Sequence, residues 1–199
     1  MKNHGVYTPQ AIALARDIRA VVFDSDGVLT DNTEAVGYGD AVVKKRSHYD
    51  GQGVSLLRAI GLHVAVITGE TGAGAVLIEH LVRRWNSLPS TKSESNPNGW
   101  EHIALYTGCR DAQKRDALNE WLAKIGASPH ECAVMGDDLV DVAMLEAVAL
   151  RAAPASAEGV IRDMVEFVSI RTGGNGAVRD FANFILESRG LNSLDYPTS

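Results

Sequence analysis

Three aspartates lie within eight residues of one another, directly after an apolar run. Residues 20–32 read AVVFDSDGVLTDN and contain Asp24, Asp26 and Asp31. Carboxylates this close repel one another, and their burial costs free energy unless a positive charge lies between them. The segment therefore predicts a bound cation at the end of a strand.

Other residues that can do chemistry follow similar apolar runs farther along the chain. Thr68 and Gly69 follow one run, Asp137 and Asp138 follow another, and Lys114 lies early in a helical pattern. In an open α/β sheet, ligands bind beyond the carboxyl ends of the strands, where the direction of the crossovers reverses. We therefore expect an acid pair, a hydroxyl group, a lysine and a second acid pair to converge on one crevice.

A Mg²⁺ ion between Asp24 and Asp137 would explain the crowded acids. Mg²⁺ accepts carboxylate and carbonyl oxygens while it keeps several waters and a substrate phosphate. Its charge offsets the repulsion between the carboxylates and prepares the site for a phosphate dianion. Thr68 Oγ1 and backbone N–H groups at the start of the next helix can bind phosphate oxygens, and Lys114 adds a positive charge.

This combination predicts the hydrolysis of a phosphate monoester. A carboxylate beside a metal and a bound phosphate, here Asp24, can attack phosphorus to give an aspartyl-phosphate that water then cleaves. Asp26, two residues on, can protonate the leaving alkoxide and later take a proton from the water. Asp24 and Asp26 are therefore the candidate catalytic residues.

The elements that must position these residues alternate between short apolar runs and helical patterns. The predicted strands are 19–24, 63–68, 102–107, 132–137, 148–153 and 166–170. The predicted helices are 50–61, 73–85, 112–126 and 140–148. This alternation predicts an α/β fold with three layers, a doubly wound, Rossmann-like parallel sheet covered by helices on both faces.

Two segments interrupt the alternation. Residues 30–46 are predicted to form a small β-hairpin that turns at GYGD (37–40) and projects from the sheet just after the aspartates. Residues 86–100 are rich in Ser, Asn and Pro and are predicted to form an exposed loop. No composition shift marks a second domain, so a single domain is expected over residues 1–199.

The composition limits the partners that the chain can have. Hydrophobic residues make up 45% and charged residues 22%, and the formal net charge is -6, which argues against nucleic acid or an anionic membrane. Cys109 and Cys132 cannot form a disulfide framework and are expected to be reduced thiols. The charged N-terminus does not resemble a signal peptide, and no apolar run reaches the roughly 18 residues of a membrane span. A cytoplasmic protein is expected.

Four motifs, in this order, resemble those of the haloacid dehalogenase superfamily in its phosphatase branch. They are DSDGVLTD (24–31), ITGE (67–70), Lys114 and GDDLVD (136–141). More narrowly, the chain is similar to small phosphatases without a cap domain that act on sugar acids, either 3-deoxy-octulosonate 8-phosphate or nine-carbon nonulosonate 9-phosphates. The same module forms the C-terminal part of some acylneuraminate cytidylyltransferases.

The resemblance covers a core of about 18–184 and leaves a tail at 185–199. It also includes DGQGVSLL (50–57) and GGNGAVRD (173–180). Carried over, it implies that Asp24 is the nucleophile and a metal ligand, that Asp26 is the acid/base with its backbone carbonyl on the metal, and that Asp137 is the remaining ligand. It implies phosphate binding by Thr68, Gly69 and Lys114, and orienting roles for Asp138 and Asp141.

The residue after the second motif bears on the substrate. Glu70 stands where octulosonate phosphatases commonly have Arg, and it resembles members that prefer nine-carbon acids. Lys44 and Arg179 are candidates to bind the carboxylate of the sugar acid. Ser47 and Tyr49 depart from the Asn and Arg that relatives often have at these positions, which puts substrate contacts there in doubt.

Neither interval that carries a cap in this superfamily is long enough here for a lid domain. An open site discriminates poorly unless another surface covers it, so the resemblance implies a homotetramer in which neighbouring subunits close each site. The rivals are a dehalogenase, a phosphomutase, a phosphatase for another small ester, and a degenerate module for oligomerisation or regulation of a cytidylyltransferase. The intact acidic motifs favour a Mg²⁺-dependent phosphatase of sugar-acid phosphates.

Overall fold

Seven strands form one mixed sheet at the centre of the structure, a computed structural model that describes residues 4–36 and 42–197. The described residues contain nine strands, of which β3 and β4 form a separate pair: β1 (Gly5–Tyr7), β2 (Ala20–Phe23), β3 (Ala35–Val36), β4 (Val42–Val43), β5 (His63–Ile67), β6 (Ala104–Tyr106), β7 (Cys132–Met135), β8 (Leu150–Ala153) and β9 (Phe167–Ser169). The helices are α1 (Pro9–Asp17), α2 (His48–Ala59), α3 (Gly72–Asn86), α4 (Ala112–Ile125), α5 (Val142–Leu145), α6 (Gly159–Met164) and α7 (Ala177–Ser188).

The strand order of the large sheet is β1-β9-β8-β7-β2-β5-β6. From β2 the chain adds β5 and β6 on one side, then returns to add β7, β8 and β9 on the other. These pairs are parallel, so the predicted doubly wound sheet is confirmed and its switch point lies between β2 and β7. Strand β1, which lies outside the predicted strands, pairs antiparallel with β9 at one edge, so the sheet is mixed. β1 has only three residues, too few to show a hydrophobic periodicity, so the sequence does not predict it.

The central strands β2 and β7 are apolar and buried along their whole length because helices cover both faces of the sheet. Val21 and Phe23 of β2 pack into the layer formed by α1, α2, α3 and α7, while Ala20 and Val22 pack against α4, α5 and α6. Successive side chains of a strand point to opposite faces, so one short run contributes to both hydrophobic layers. The two layers hold β2 rigidly at the middle of the sheet.

The segment after β2 contains a small antiparallel pair at the predicted hairpin position. Ala35 pairs with Val43 in β3 and β4, and an isolated bridge joins Thr30 to Arg46 at the base. The predicted turn at 37–40 lies outside the described residues. This pair connects the loop after β2 to α2.

The other differences from the predicted elements concern helices and the polar loop. Helices α1, α6 and α7 lie outside the predicted set, and the predicted helix 140–148 is a 3₁₀ turn at Leu139–Asp141 followed by the single turn of α5. Part of the loop 86–100 is buried, because Arg58 of α2 donates to Trp85 O and to Thr91 Oγ1. Among the described residues, no helix is both long and apolar enough to span a bilayer.

Candidate active site

The predicted site residues that follow β2, β5 and β7 meet at the carboxyl edge of the sheet. Asp24 follows β2, and its backbone N–H donates to Met135 O at the end of β7 at 3.1 Å. A cavity of about 180 Å³ opens at this edge. Its lining residues are Asp24, Asp26, Thr68, Gly69, Glu70, Arg110, Lys114 and Val140.

The loop after β2 can approach Asp137 only because residue 27 is a glycine. Gly27 has a φ of +81°, and a Cβ there would overlap the Asp137 carboxylate. The same loop rests on the glycine-rich segment before α7, where a Cβ on Gly173 would overlap Gly27 O and Gly174 N donates to Val28 O at 2.9 Å. The segment GGNGAVRD therefore supports the backbone that carries Asp24 and Asp26.

Lys114 lies at the floor of the cavity between two carboxylates. Its Nζ donates to Asp24 Oδ1 at 2.7 Å and to Asp141 Oδ1 at 2.6 Å, and its side chain is 1% exposed. Burial alone would lower the pKa of Lys114, but the two acids outweigh it and raise the pKa. Lys114 is therefore charged, and it links the loop after β2 to the loop after β7.

Asp141 orients its neighbours, as the resemblance implies. It is fully buried, and its Oδ2 accepts from the backbone N–H of Asp137 at 2.9 Å and from that of Asp138 at 3.4 Å. Asp138 has a different local role, because its Oδ1 accepts from Leu139 N at 2.6 Å and caps the 3₁₀ turn. Asp141 thus fixes both Lys114 and the loop that carries Asp137.

The acids at the switch point have the character of a cation site. Carboxylate oxygens of Asp24, Asp137 and Asp141 lie within 4.8 Å of one another. Burial, followed by the charges of Asp141 and Asp138, raises the pKa of Asp137 to about 7, and burial together with Asp141 raises the pKa of Asp24 well above its usual value. Asp141 uses both oxygens for Lys114 and backbone N–H groups, which leaves Asp24 Oδ2 and the Asp137 carboxylate as the oxygens best placed for a divalent cation. These hard oxygen donors fit Mg²⁺.

Asp26 does not join this carboxylate group. Its Oδ1 accepts from Thr30 Oγ1 at 2.8 Å and its Oδ2 from Lys44 Nζ at 2.6 Å. Burial would raise the pKa of Asp26, but hydrogen bonds with Glu70, Lys44 and Thr30 outweigh it, so the pKa is lowered. A contact of the Asp26 backbone carbonyl with metal stays a prediction.

Lys44 and Glu70, both predicted to bind substrate, bind each other. Lys44 Nζ lies 3.0 Å from Glu70 Oε1, and the Lys44 side chain is 9% exposed. The pKa of Glu70 is raised by its hydrogen bond with Asp26 and by burial. Lys44 follows β4 directly, so the base of the hairpin reaches the cavity.

The phosphate-binding candidates Thr68 and Gly69 belong to a loop that is tied to the loop after β6. Thr68 is buried, its Oγ1 accepts from Glu70 N at 3.1 Å, and Cys109 N donates to Thr68 O at 2.9 Å. Sequence analysis did not single out Arg110, which lies in the second of these loops and lines the cavity. The sequence signal that could have indicated Arg110 is its position as a basic residue between a strand and the helix that carries Lys114.

Arg179 is not among the described residues that line the cavity. It donates to Asn183 Oδ1 and Gln52 Oε1, each at 3.2 Å. Its position follows from Asp50 of α2, which accepts from the backbone N–H groups that begin α7, those of Gly176, Val178 and Arg179. Asp50, in the segment 50–57, therefore caps the N-terminus of α7. A substrate contact of Arg179 stays a prediction.

Comparison with known proteins identifies the family. The model of the haloacid dehalogenase-like hydrolases matches residues 76–179. The 3-deoxy-D-manno-octulosonate 8-phosphate phosphatase KdsC of Escherichia coli K12 is 30% identical over 187 residues, which cover 94% of this chain and 89% of that protein.

Solved structures have the same fold. The 3-deoxy-D-manno-octulosonate 8-phosphate phosphatase of Yersinia pestis is 27% identical, with a TM-score of 0.76 over 94% of each chain. The enzyme of the same name from Moraxella catarrhalis, solved with magnesium, phosphate and KDO, is 22% identical, with a TM-score of 0.78 over 92% of this chain and 94% of that chain. From the family match and the KdsC relatives together, we conclude that the chain belongs to the haloacid dehalogenase-like hydrolases, among the phosphatases related to KdsC.

Proposed function

We propose that this protein is a Mg²⁺-dependent phosphomonoesterase that hydrolyses a phosphorylated 3-deoxy-2-keto sugar acid through an aspartyl-phosphate. The observation that carries the proposal is the arrangement at the switch point. Asp24 lies 2.7 Å from the buried Lys114 and faces Asp137 across the gap between β2 and β7. Thr68 and Gly69 line the same cavity.

Asp24 attacks the phosphorus atom and carries the phosphoryl group. Lys114 holds Oδ1 of Asp24 in place, and Asp141 fixes Lys114 in turn, so the nucleophile is oriented before substrate arrives. Asp24, Asp137 and the Asp26 carbonyl would hold Mg²⁺, which would supply positive charge to offset the acids and the phosphate. Thr68, Gly69 and Lys114 bind the phosphate oxygens.

Asp26 acts as the acid in the first step and as the base in the second. Its lowered pKa keeps it ionised while Lys44 is bound, which suits removal of a proton from water. The first step needs a protonated carboxyl. A substrate carboxylate that competes for Lys44 would release Asp26 and let its pKa rise, which couples substrate binding to the proton that the leaving alkoxide needs.

Two substrate classes remain for the sugar acid. The relatives at 30% identity are octulosonate 8-phosphate phosphatases, which favours an eight-carbon substrate. Glu70 favours a nine-carbon nonulosonate 9-phosphate, because a carboxylate suits hydroxyl or amine groups better than a second anion. A phosphatase for another small ester and a catalytically inactive module are the rivals.

The test compares octulosonate 8-phosphate, a nonulosonate 9-phosphate and p-nitrophenyl phosphate with Mg²⁺ and with EDTA. We expect Mg²⁺-dependent release of phosphate and a kcat/KM at least tenfold higher for one of the two sugar acids than for p-nitrophenyl phosphate. Equal and slow turnover of all three would favour another ester. No turnover of any ester would favour the inactive module.

The proposal includes a homotetramer in the cytoplasm. Exposed apolar side chains near the hairpin support association, since Val43 is 65% exposed and Leu77 of α3 is 41% exposed. Arg179, which lies away from the cavity, would reach the substrate of a neighbouring subunit. Light scattering should give four times the chain mass, and a fully active monomer would contradict the assembly.

A further inference from the structure

One cation at the active-site cavity has no role in the proposed chemistry. Arg110 lines the cavity together with Asp24, Gly69 and Lys114. Its guanidinium makes no hydrogen bond or ion pair within 4–36 and 42–197, the ranges that the structure describes. A solvent-facing guanidinium beside several carboxylates and without a carboxylate partner is a candidate receptor for an anionic ligand.

The other two cations near the cavity are already occupied. Lys114 Nζ binds Asp24 and Asp141 within 2.7 Å. Lys44 Nζ binds Asp26 at 2.6 Å and Glu70 at 3.0 Å. Each ammonium therefore already faces two carboxylates, whereas Arg110 has no carboxylate partner in the part of the chain that the structure describes.

The side chain of Arg110 lies over the backbone of a predicted phosphate-binding residue. A Cβ on Gly69 would lie 3.2 Å from Arg110 Cγ and 3.6 Å from Arg110 Nε. A larger residue at position 69 would push the arginine away. The guanidinium and the Thr68–Gly69 loop thus form one wall of the cavity.

The backbone around Arg110 is held in place. Its N–H donates to Gln113 Oε1 at 3.2 Å, and Gly108 N donates to Glu70 O at 2.9 Å. The next residue, Asp111, has a φ of +48°, which is uncommon for a residue other than glycine and is maintained only by the surrounding structure. The loop therefore presents Arg110 from a fixed position.

We propose that Arg110 binds the phosphate group, both in the substrate and in the product phosphate; this inference rests on the proposed function. Arginine suits this contact because its planar guanidinium donates two parallel hydrogen bonds to phosphate oxygens. Arg110 lines the same cavity as Asp24, beside Gly69, and it acts together with Thr68, Gly69 and Lys114.

The direct test measures the Kd of inorganic phosphate by calorimetry in the presence of Mg²⁺, without turnover. Arg110→Gln should weaken binding about 10- to 100-fold, as expected for the loss of hydrogen bonds to a charged group. Arg110→Lys should recover part of the loss. Arg115→Gln is the matched control, because Arg115 is an exposed arginine of α4 that pairs with Asp116 at 3.5 Å, and it should change the Kd less than twofold.

A kinetic comparison distinguishes phosphate from the sugar acid. If Arg110 binds phosphate, Arg110→Gln raises KM by the same factor for p-nitrophenyl phosphate and for octulosonate 8-phosphate. A loss confined to the sugar acid would assign Arg110 to the sugar carboxylate and overturn the proposal, as would unchanged binding of inorganic phosphate by a variant with the wild-type melting temperature. If the wild-type protein hydrolyses neither p-nitrophenyl phosphate nor either of the two sugar-acid phosphates, the proposed function fails, while the calorimetry still decides the role of Arg110.

Discussion

Two lysines at the active site each bind two carboxylates, but their surroundings differ. Lys114 and its partners Asp24 and Asp141 have side chains that are 1%, 7% and 0% exposed. Lys44 is 9% exposed, and its partners Asp26 and Glu70 are 22% and 25% exposed. The first cluster lies at the ends of central strands, whereas the second lies at the base of the hairpin.

Under the proposed function, the buried cluster forms the catalytic floor of the site and the more exposed cluster forms the side that meets the substrate. A buried ion cluster depends on each member, because removal of one charge leaves the others desolvated and uncompensated. A cluster that is partly open to solvent can exchange a partner for water or for a substrate anion at a smaller cost than a fully buried one. Lys114 is thus suited to hold the nucleophile, and Lys44 is suited to respond to the substrate.

The largest effect is expected for Lys114→Met. It would leave Asp24 and Asp141 buried without a cation, which should lower the free energy of unfolding by about 3–5 kcal/mol. Urea denaturation measures this change. The matched control is Lys124→Met on the same helix, where an exposed pair with Glu120 should contribute little to the free energy of unfolding. Equal effects of the two substitutions would contradict the distinction.

A second test uses the acids that face the cation site. The pKa of Asp137 is raised to about 7 in the fold, so the metal-free fold loses stability as the pH rises from the usual carboxyl range to about 7, and the loss is complete once Asp137 is ionised. Mg²⁺ binds the ionised form and relieves this repulsion. Saturating Mg²⁺ should therefore raise the melting temperature more at pH 8 than at pH 6. An equal shift at both pH values, or an unaltered difference in Asp137→Asn, would contradict this account.

Lys44→Met should weaken the binding of the sugar-acid substrate while changing the stability of the fold only a little. Because the cluster is more exposed than that of Lys114, the free energy of unfolding should fall by less than in Lys114→Met. KM for a phosphorylated sugar acid should rise about tenfold, since one charge-assisted contact is lost, with little change for p-nitrophenyl phosphate. An equal rise for both substrates would place Lys44 at the phosphate instead.

The smallest effect is expected for Arg179→Gln. Its partners are the uncharged side chains of Gln52 and Asn183, so unfolding should change by no more than about 0.5 kcal/mol. Hydrolysis of p-nitrophenyl phosphate should stay within twofold of the wild-type rate. A selective loss with the sugar acid, found only in the assembled oligomer, would support a contact across subunits.

The convergence of the residues at the floor of the site could be predicted from sequence, because it follows from the positions of the strand ends. Asp24, Thr68 and Asp137 follow apolar runs, and parallel strands bring their carboxyl ends to one edge. Lys114 could be placed because it lies in the first turn of a helix that begins at this edge. The catalytic roles of these residues remain predictions, but their convergence is a property of the fold.

The contacts of Lys44, Arg110 and Asp50 could not be predicted from sequence, because they depend on how separate loops meet. Nothing in the spacing of Lys44 shows that it binds Asp26 and Glu70. Arg110 takes its position from an unusual backbone angle at Asp111, and sequence periodicity carries no information about a single loop residue. The cap that Asp50 provides for α7 joins residues 126 to 129 positions apart, which local patterns do not reveal.

The central claim is that the Asp24 carboxylate is the nucleophile at a Mg²⁺ site. The most direct measurement is phosphate release with Mg²⁺ by the wild-type protein and by Asp24→Asn, at matched melting temperature. We expect Asp24→Asn to lose activity by about 10⁴-fold or more, the scale seen when an enzyme loses its nucleophile. Retention of activity within tenfold of the wild-type rate would contradict the account.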